Sequence, residues 1–516
     1  MKKLFNLLLC CILMVVSMTI LSACSSGETK VVKVYIEKLS PDMVELSESY
    51  AIYNGSQFCP TVTVTSETGK VDGKEYAVTY EDNVNAGIAR AIITANADSQ
   101  KIKGSTEVEF TIDRANITLE GCEDAYEELK QVLDSNNYKT ITINEEVIVL
   151  DCLTIDKEEE VYFNRLVTDG GTVVNNGILH ADSFTSSNLH EKQTVINNGT
   201  AYAYVDDELS MMESFAFANY IILMKDIPTP SSPNENIDEI ELVAEHMNYE
   251  FTIDLNGHNI GVPITFSNVY KTPGESYVLH TYDTGIKASI INSKNDTISS
   301  IGTGDYSYGL FLSGNSLMSL NIENVQVYGK TYALVTNGCH YNHDAKLTAK
   351  DCVFTSPDTN APGMGAYLPA AYVYNFINCV FEGATGYYTK NGYHTITNCL
   401  IKGTGEKENR NPQGEGGAPT GAAIDIDWGA WTSFPFDMKI YNTTLQSKNN
   451  VCIQEYPNWN STEEDGLGLR DVTRHVEIDL FDCTLNAFTI LNNPDLQLSD
   501  KYYSANNFVK IHQTAA

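Results

Sequence analysis

The sequence predicts an all-β protein, with a small β-sandwich followed by a parallel β-helix and a short capping helix. The main observation is a frame that recurs six times between residues 320 and 485. In each copy, an Asn or Asp marker has an apolar residue two positions before it, a small residue one after it and an apolar residue three after it. The markers are Asn324, Asp351, Asn378, Asn398, Asn442 and Asp482. Such alternation is typical of strands with one buried face, and its repetition predicts a solenoid.

The markers also indicate the length of a coil. Asn324, Asp351 and Asn378 are evenly spaced along the chain, and Asn398 follows after a somewhat shorter interval. The next two intervals are each roughly twice as long, so they correspond to two coils of about 20–22 residues or to one coil with an insertion. Asn and Asp tolerate a left-handed backbone, so we expect each marker at a bend between two strands. This favours a parallel β-helix over a leucine-rich repeat, with a β-sandwich aligned by chance as the alternative.

The repeated stretch resembles the right-handed β-helices of the pectin-lyase-like superfamily. The marker frame carries the resemblance, together with the small residues that follow the markers. Four of these are Cys352, Cys379, Cys399 and Cys483, which we expect to stack unpaired inside the solenoid as small apolar side chains. This fold hosts both enzymes and binding modules, so the resemblance alone does not assign a function.

Residues 1–24 are predicted to be an export signal. Two lysines precede a long apolar stretch, and Leu21-Ser-Ala-Cys24 resembles a bacterial lipobox. The resemblance implies cleavage before Cys24 and lipidation of its thiol, which would anchor the protein at the bacterial cell surface or at the outer face of the membrane. An ordinary secretory signal or an uncleaved anchor is the alternative.

Residues 32–113 are predicted to form a separate β-sandwich, because short alternating strands such as Tyr76–Tyr80 and Val108–Ile112 are divided by Gly and Asn turns. The turn Asn85-Ala-Gly87 with its following strand resembles bacterial Ig-like modules, which usually act as stalks. Helical spacing of apolar residues from 124 to 133 predicts the capping helix.

The β-helix is assigned to residues 123–510, with a division near residue 207 as the alternative. Thr172-Val-Val-Asn-Asn-Gly177 recurs as Thr194-Val-Ile-Asn-Asn-Gly199. The offset between the two segments matches one coil, which places the start of the solenoid near residue 140.

The formal charge of −34 excludes nucleic acid and anionic lipid as expected partners, apart from the lipid anchor. We expect no cofactor. His340-x-x-His343-Asp344 and Glu463-Glu-Asp-Gly466 carry potential metal or calcium ligands, but neither has further partners in the sequence, and a hydrogen-bonded loop is the favoured interpretation.

The two strands of each frame, before and after the marked bend, are followed by another strand, here called the third strand, and the candidate ligand site lies on it. Trp428, Trp431 and Trp459 follow this strand in two neighbouring coils, and Tyr387 lies on it in an earlier coil. Exposed aromatic rings are platforms for sugars, and the equal alternative is that these rings cover a Gly-rich insertion. If Ile424 and Ile426 point inward, Asp425 and Asp427 face outward about 6.6 Å apart. That separation is near the range of inverting glycosidases, with a solvated acidic edge as the alternative.

Polygalacturonases of the resembled superfamily combine three aspartates with Gly-His-Gly and Arg-x-Lys motifs. This sequence contains neither motif, so no catalytic residue is assigned. We therefore expect a lipid-anchored surface protein that binds a polysaccharide or a surface partner without catalysis. The alternatives are a polysaccharide lyase or glycoside hydrolase that uses the same groove, and a purely structural adhesin.

Overall fold

The structure is a computed structural model. It describes residues 36–186, 194–232, 239–243, 250–267, 269–270, 278–279, 286–313, 317–337, 345–357, 363–370, 372–405, 421–426, 436–455, 476–487 and 509–514. The chain divides into two compact units. One contains the described residues up to Thr118 together with Glu127–Ile141, and the other contains Leu119–Tyr126 and the residues from Thr142 onward.

The N-terminal unit consists mainly of short β-strands. A four-stranded sheet has the order Tyr50–Ile52, Ser105–Asp113, Gly87–Ala95 and Tyr76–Glu81. A three-stranded sheet contains Val44–Leu46, Val62–Ser66 and Gly69–Lys70, and a two-stranded sheet pairs Glu37–Lys38 with Ile102–Lys103. Short 3₁₀ turns lie at Pro41–Met43 and Gly73–Glu75. Alternate residues of the long strands, such as Ala91, Ile93 and Phe110, form the apolar core of this unit.

Two α-helices lie within the described ranges, at Ala125–Ser135 and Glu208–Ser214. The first was expected from the sequence. Because its residues from Glu127 onward group with the N-terminal unit, its role as a cap of the solenoid stays a prediction. In the described part of the chain, no helix combines the length and the apolar character that crossing a membrane requires.

The larger unit is built from long sheets whose strands come from successive coils. Within this unit the first sheet contains the strand Tyr138–Val149 from Thr142 onward and fourteen further strands: Glu160–Thr168, Ile178–Ala181, Phe184–Ser186, Thr200–Val205, Tyr220–Leu223, Glu250–Asp254, Ile286–Ile291, Leu317–Glu323, Lys346–Lys350, Val373–Ile377, Gly392–Thr397, Phe436–Tyr441, Val476–Phe481 and Val509–Thr514. The strand Ala115–Leu119 is assigned to the N-terminal unit as far as Thr118. From Glu160–Thr168 onward these strands pair in parallel. The pairing continues across residue 207, where Ala203 is in register with Ile221.

Three further parallel sheets complete the coils. The second sheet has seven strands, namely Ser300–Ile301 and the six strands that follow the marked bends: Gln326–Tyr328, Val353–Thr355, Val380–Gly383, Leu400–Gly403, Thr444–Ser447 and Thr484–Ala487. The early coils have a three-stranded sheet of Cys152–Ile155, Thr172–Asn175 and Val195–Asn197.

A third, eight-stranded sheet contains Ile240–Val243, Ile264–Ser267, Tyr308–Ser313, Tyr332–Asn337, Met364–Leu368, Thr385–Thr389, Ile424–Ile426 and Ile453–Glu455. Val269–Tyr270 and Val278–Leu279 form a separate antiparallel ribbon. This arrangement of long parallel sheets is consistent with a parallel β-helix.

The predicted bends are present at every marker. Asn324, Asp351, Asn378, Asn398, Asn442 and Asp482 all have a left-handed backbone, with φ between 46° and 58°. The predicted offset of the two early repeats is also confirmed, because Val173 is in register with Val195 and Asn175 with Asn197. Short polar side chains can bond locally in the left-handed region, which explains why Asn and Asp occupy these bends.

The predicted cysteine column lies inside the solenoid. Cys352, Cys379 and Cys399, hereafter the cysteine column, are buried on successive coils, and Cys483 is half-buried. The backbone N–H of Cys379 donates to Sγ of Cys399 at 3.3 Å, so the two coils are in direct contact at this column. All the cysteines in the described part of the chain are free thiols.

Candidate functional site

The candidate site expected from the sequence is only partly within the described residues. Trp428, Trp431, Trp459 and Asp427 lie outside them, as does Cys24. Both potential metal segments, at 340–344 and 463–466, also lie outside them. Within the described ranges, no group of three His, Cys, Asp or Glu side chains is arranged to hold a metal ion. The structure therefore bears on the two remaining residues, Tyr387 and Asp425.

Tyr387 lies in the core rather than along a groove. Its side chain is fully buried, its ring packs edge-on against Phe376 and Phe381, and its hydroxyl lies 2.7 Å from Nδ1 of His394. The cause is the strand register, which pairs Tyr387 with Ile424. Ile424 faces inward, as expected, and a register partner on a parallel strand must face the same way. The expectation that Tyr387 lines a groove is thus wrong.

The outward position of this strand belongs to Tyr388. It is in register with Tyr367 on one side and with Asp425 on the other, and Asp425 in turn pairs with Gln454. The rings of Tyr367 and Tyr388 stack with centroids 4.9 Å apart, and Tyr332 contacts Tyr367 at 5.0 Å. We call Tyr332, Tyr367 and Tyr388 the third-sheet row.

The row changes from partly exposed to buried along the solenoid. Tyr332 and Tyr367 are partly exposed, whereas Tyr388 is buried and has Nζ of Lys390 at 5.9 Å from its ring centroid. Burial raises the pKa of Tyr332, so its phenol remains a hydrogen-bond donor at neutral pH. Each tyrosine therefore combines apolar ring area with a polar tip.

Asp425 continues the row on the face opposite to Ile424 and Ile426, as predicted from the alternation of the strand. Its side chain is nevertheless completely buried, so the solvated acidic edge considered as an alternative does not apply to this residue. Removing a carboxylate from water costs several kcal/mol unless the surroundings compensate for it, on the order of the desolvation penalty per ion. Buried acids are therefore uncommon, and they often lie at functional sites.

The register of the third strands brings two tyrosines of the row into one column. Alignment of the third strands on the inward isoleucine Ile424 places Tyr388, not Tyr387, on the outer face, and Tyr367 falls in the same column. Tyr387 was expected on the third strand, but its distance from the marked bend does not show whether Tyr387 or Tyr388 faces outward.

Comparisons with known proteins do not assign a function to this chain. No family model matches the chain, and no curated protein or solved structure matches it either. The site consequently consists of what the described residues show, which is a row of tyrosines in ring contact that leads to a buried carboxylate.

Proposed function

We propose that this protein binds a polysaccharide along the third-sheet row, without catalysis. The observation that carries the proposal is the stacked pair of Tyr367 and Tyr388, which has Tyr332 tilted against Tyr367 at one end and the buried Asp425 at the other. Tyr332 and Tyr367, the partly exposed members of the row, would supply apolar ring area and phenol hydrogen bonds, which is the combination that a sugar with both C–H and O–H groups requires. A few polar groups within a mainly apolar lining are also typical of ligand sites.

The proposal includes the cellular placement expected from the sequence. Residues 1–24 direct export, Cys24 carries the lipid, and the N-terminal unit serves as an Ig-like stalk. The larger unit is then a right-handed β-helix of the pectin-lyase-like type. The lipobox-like Leu21-Ser-Ala-Cys24 supports the lipid anchor, and the left-handed Asn and Asp bends support the β-helix.

The overall charge restricts the class of polysaccharide. With a formal charge of −34, the protein repels polyuronates and other polyanions at moderate ionic strength. The ligand is therefore an uncharged or positively charged glycan.

The proposal is tested with a panel of neutral and acidic polysaccharides and the full chain, by affinity electrophoresis followed by calorimetry. Tyr367→Ala should weaken binding of the best neutral glycan by about 1–3 kcal/mol, the scale of losing an aromatic contact. Tyr393→Ala is the matched control, because Tyr393 is 43% exposed but lies on the first sheet. Binding that is unchanged in Tyr367→Ala, or equally weakened in the control, would contradict the assignment.

The tryptophans remain part of the proposal. If Trp428, Trp431 and Trp459 contribute rings to the same groove, each Trp→Ala variant should lose about 1–3 kcal/mol of binding free energy. Tryptophan fluorescence that does not respond to a glycan bound at Tyr367 would exclude them from the site.

Catalysis is the second candidate function, because the buried carboxylate of Asp425 adjoins the tyrosine row. Glycosidases use such carboxyl groups as acid catalysts. Asp425→Asn distinguishes the two functions. A binding module keeps its affinity and has no turnover to lose, whereas an enzyme keeps binding and loses most of its rate in assays of reducing ends or unsaturated products. If no glycan of the panel binds at all, the structural adhesin becomes the better interpretation.

A further inference from the structure

A second aromatic cluster lies on the outer face of the first sheet, in the early coils. Tyr162, His180, Tyr202 and Tyr220 are in register on four successive strands. Their ring centroids are 4.0, 4.7 and 5.1 Å apart, with interplanar angles of 3°, 6° and 20°. We call these four residues the first-sheet stack. Rings stacked in this way cover one another's faces, so only a ring at the end of the stack has a free face.

Tyr220 is that terminal ring. It is 42% exposed, and its register partner on the next strand is Thr252. The threonine side chain is too short to cover a phenol ring, so within the described residues the strand next to Tyr220 leaves the ring face beyond the stack uncovered. A ligand ring placed there would occupy the position that a fifth ring of the stack would take.

The other end of the stack holds a carboxylate in a fixed position. Glu160 Oε1 accepts the Tyr162 hydroxyl at 2.9 Å and lies 3.1 Å from Nε2 of His180. Among the described residues, both contacts involve the same oxygen, and the side chain of Glu160 is 33% exposed. Its Oε2 is therefore available to a cationic ligand without the loss of either bond.

His180 is uncharged at neutral pH, so it does not repel a cation at this end of the stack. Because a carboxylate only accepts, Nε2–H of the neutral imidazole donates to Glu160, and Nδ1 accepts the hydroxyl of Tyr204 at 3.0 Å. Burial lowers the pKa of His180, which keeps the ring neutral at pH 7. The same burial, with the neighbouring Glu160, raises the pKa of Tyr162 to about 12, so its hydroxyl remains a donor.

The charged residues in the two rows beside the stack are all acidic, and these rows are called the acidic rows below. On the strands from Glu160–Thr168 to Glu250–Asp254, the outward positions two residues before and after the stack carry charged residues of one sign only. They are Glu160, Asp182, Glu250 and Asp254. Lys287 of the following strand approaches Glu250 at 3.7 Å, but both side chains are more than half exposed, so this pair is weak. An open aromatic face between carboxylates attracts a cation that also has an apolar ring face.

We propose that the first-sheet stack, from Tyr220 to Glu160, is a binding site for an amino-sugar oligomer that carries free ammonium groups. One sugar ring would stack on the open face of Tyr220, and ammonium groups would lie against the acidic rows and Oε2 of Glu160. Three coil spacings separate the two ends, about 14 Å, so the ligand spans several sugar units. This site does not depend on the third-sheet row, and it stands if glycan binding there is disproved.

The test uses the full chain and two matched probes, a hexamer of glucosamine and the same hexamer fully N-acetylated. Calorimetry at moderate salt should show binding of the glucosamine hexamer at least about ten-fold tighter than that of the N-acetylated one, because only the former carries ammonium groups. Tyr220→Ala should reduce affinity for the glucosamine hexamer about five- to ten-fold, and Tyr220→Phe should retain it. Glu160→Gln should reduce it about three-fold or more.

Tyr393→Ala, at a similarly exposed tyrosine of the same sheet, is the control and should bind like the unaltered chain. Circular dichroism confirms that each variant is folded. Equal affinity for the two hexamers, unchanged binding in Tyr220→Ala, or a lysine hexamer whose binding depends on Tyr220 to the same extent would each overturn the proposal. The last result would mean that the stack recognises cationic peptides instead.

Discussion

His394 should make the stability of the solenoid depend on pH. Its imidazole is buried inside a coil, stacked on Tyr374 at 4.7 Å, with Nε2 at 2.9 Å from the carbonyl oxygen of Asn391 and Nδ1 at 2.7 Å from the hydroxyl of Tyr387. In this arrangement the neutral ring donates from Nε2 and accepts at Nδ1. A second ring proton would face the Tyr387 hydroxyl and leave a charge in the core.

Burial lowers the pKa of His394 from 6.5 to about 4. Well above pH 6.5 the ring is neutral in the folded and unfolded chains alike, so it adds no pH dependence. As the pH falls from 6.5 towards 4, only the unfolded chain takes up the proton, and the free energy of unfolding falls. Since one pKa unit corresponds to about 1.4 kcal/mol, the full loss is about 3 kcal/mol, with about 2–3 kcal/mol lost by pH 4.5.

The measurement is denaturant unfolding of the full chain and of His394→Gln at pH 7.5 and pH 4.5. The amide of Gln can replace one donor and one acceptor without titrating. Tryptophan fluorescence suits this measurement, because all three tryptophans, at 428, 431 and 459, lie in the sequence range that was predicted to form the β-helix. The unaltered chain should lose about 2–3 kcal/mol more than the variant between the two pH values. His258→Gln, at a partly exposed imidazole, controls for the removal of a histidine. Equal losses in the unaltered chain and in His394→Gln would refute the reasoning.

Three further results are expected. Asn398→Val should destabilise the solenoid by about 1–2 kcal/mol because a β-branched residue is strained at φ 54°, whereas Asn398→Gly should cost much less; equal unfolding midpoints for the two variants would contradict this. A thiol reagent should label the exposed Cys59 and Cys152 in the folded chain and reach the cysteine column only after unfolding, as read by peptide mass spectrometry; a disulfide within the column would disprove the expectation of free thiols. Cys24→Ala should release the protein from the membrane fraction or block its processing, and unchanged retention with unchanged mass would identify the apolar signal stretch as the anchor.

The sequence was sufficient to predict the bends and the faces of the strands next to them. Asn378 and Cys379 are adjacent, so the left-handed turn at the first fixes the inward direction of the second. The third sheet was less predictable because loops of different length separate each bend from its third strand. The marker at Asn378 therefore does not determine whether Tyr387 or Tyr388 faces the core, and only the pairing with Ile424 does.

The same limit applies to chemistry that depends on burial. Alternation along the strand predicts that Asp425 points away from Ile424 and Ile426. It does not predict that an outward side chain will be buried, as that of Asp425 is. The first-sheet stack also went unnoticed, because Tyr162, His180, Tyr202 and Tyr220 are each separated by a whole coil of sequence and become neighbours only through the strand register.

The register between coils also bears on how such a gene changes in length. Val380 pairs with Leu400 and Phe381 with Ile401, so each partner lies one full coil further along the chain. A deletion of the codons from Asn378 to Thr397 would join Ile377 directly to Asn398, the next marker, and would retain the alternation on both sides of the junction. Replication slippage or unequal recombination can thus add or remove a whole coil, called a rung, and still leave the buried and exposed positions of the neighbouring strands unchanged. The number of rungs, and with it the reach of any surface that runs along them, becomes a trait on which selection can act in single steps.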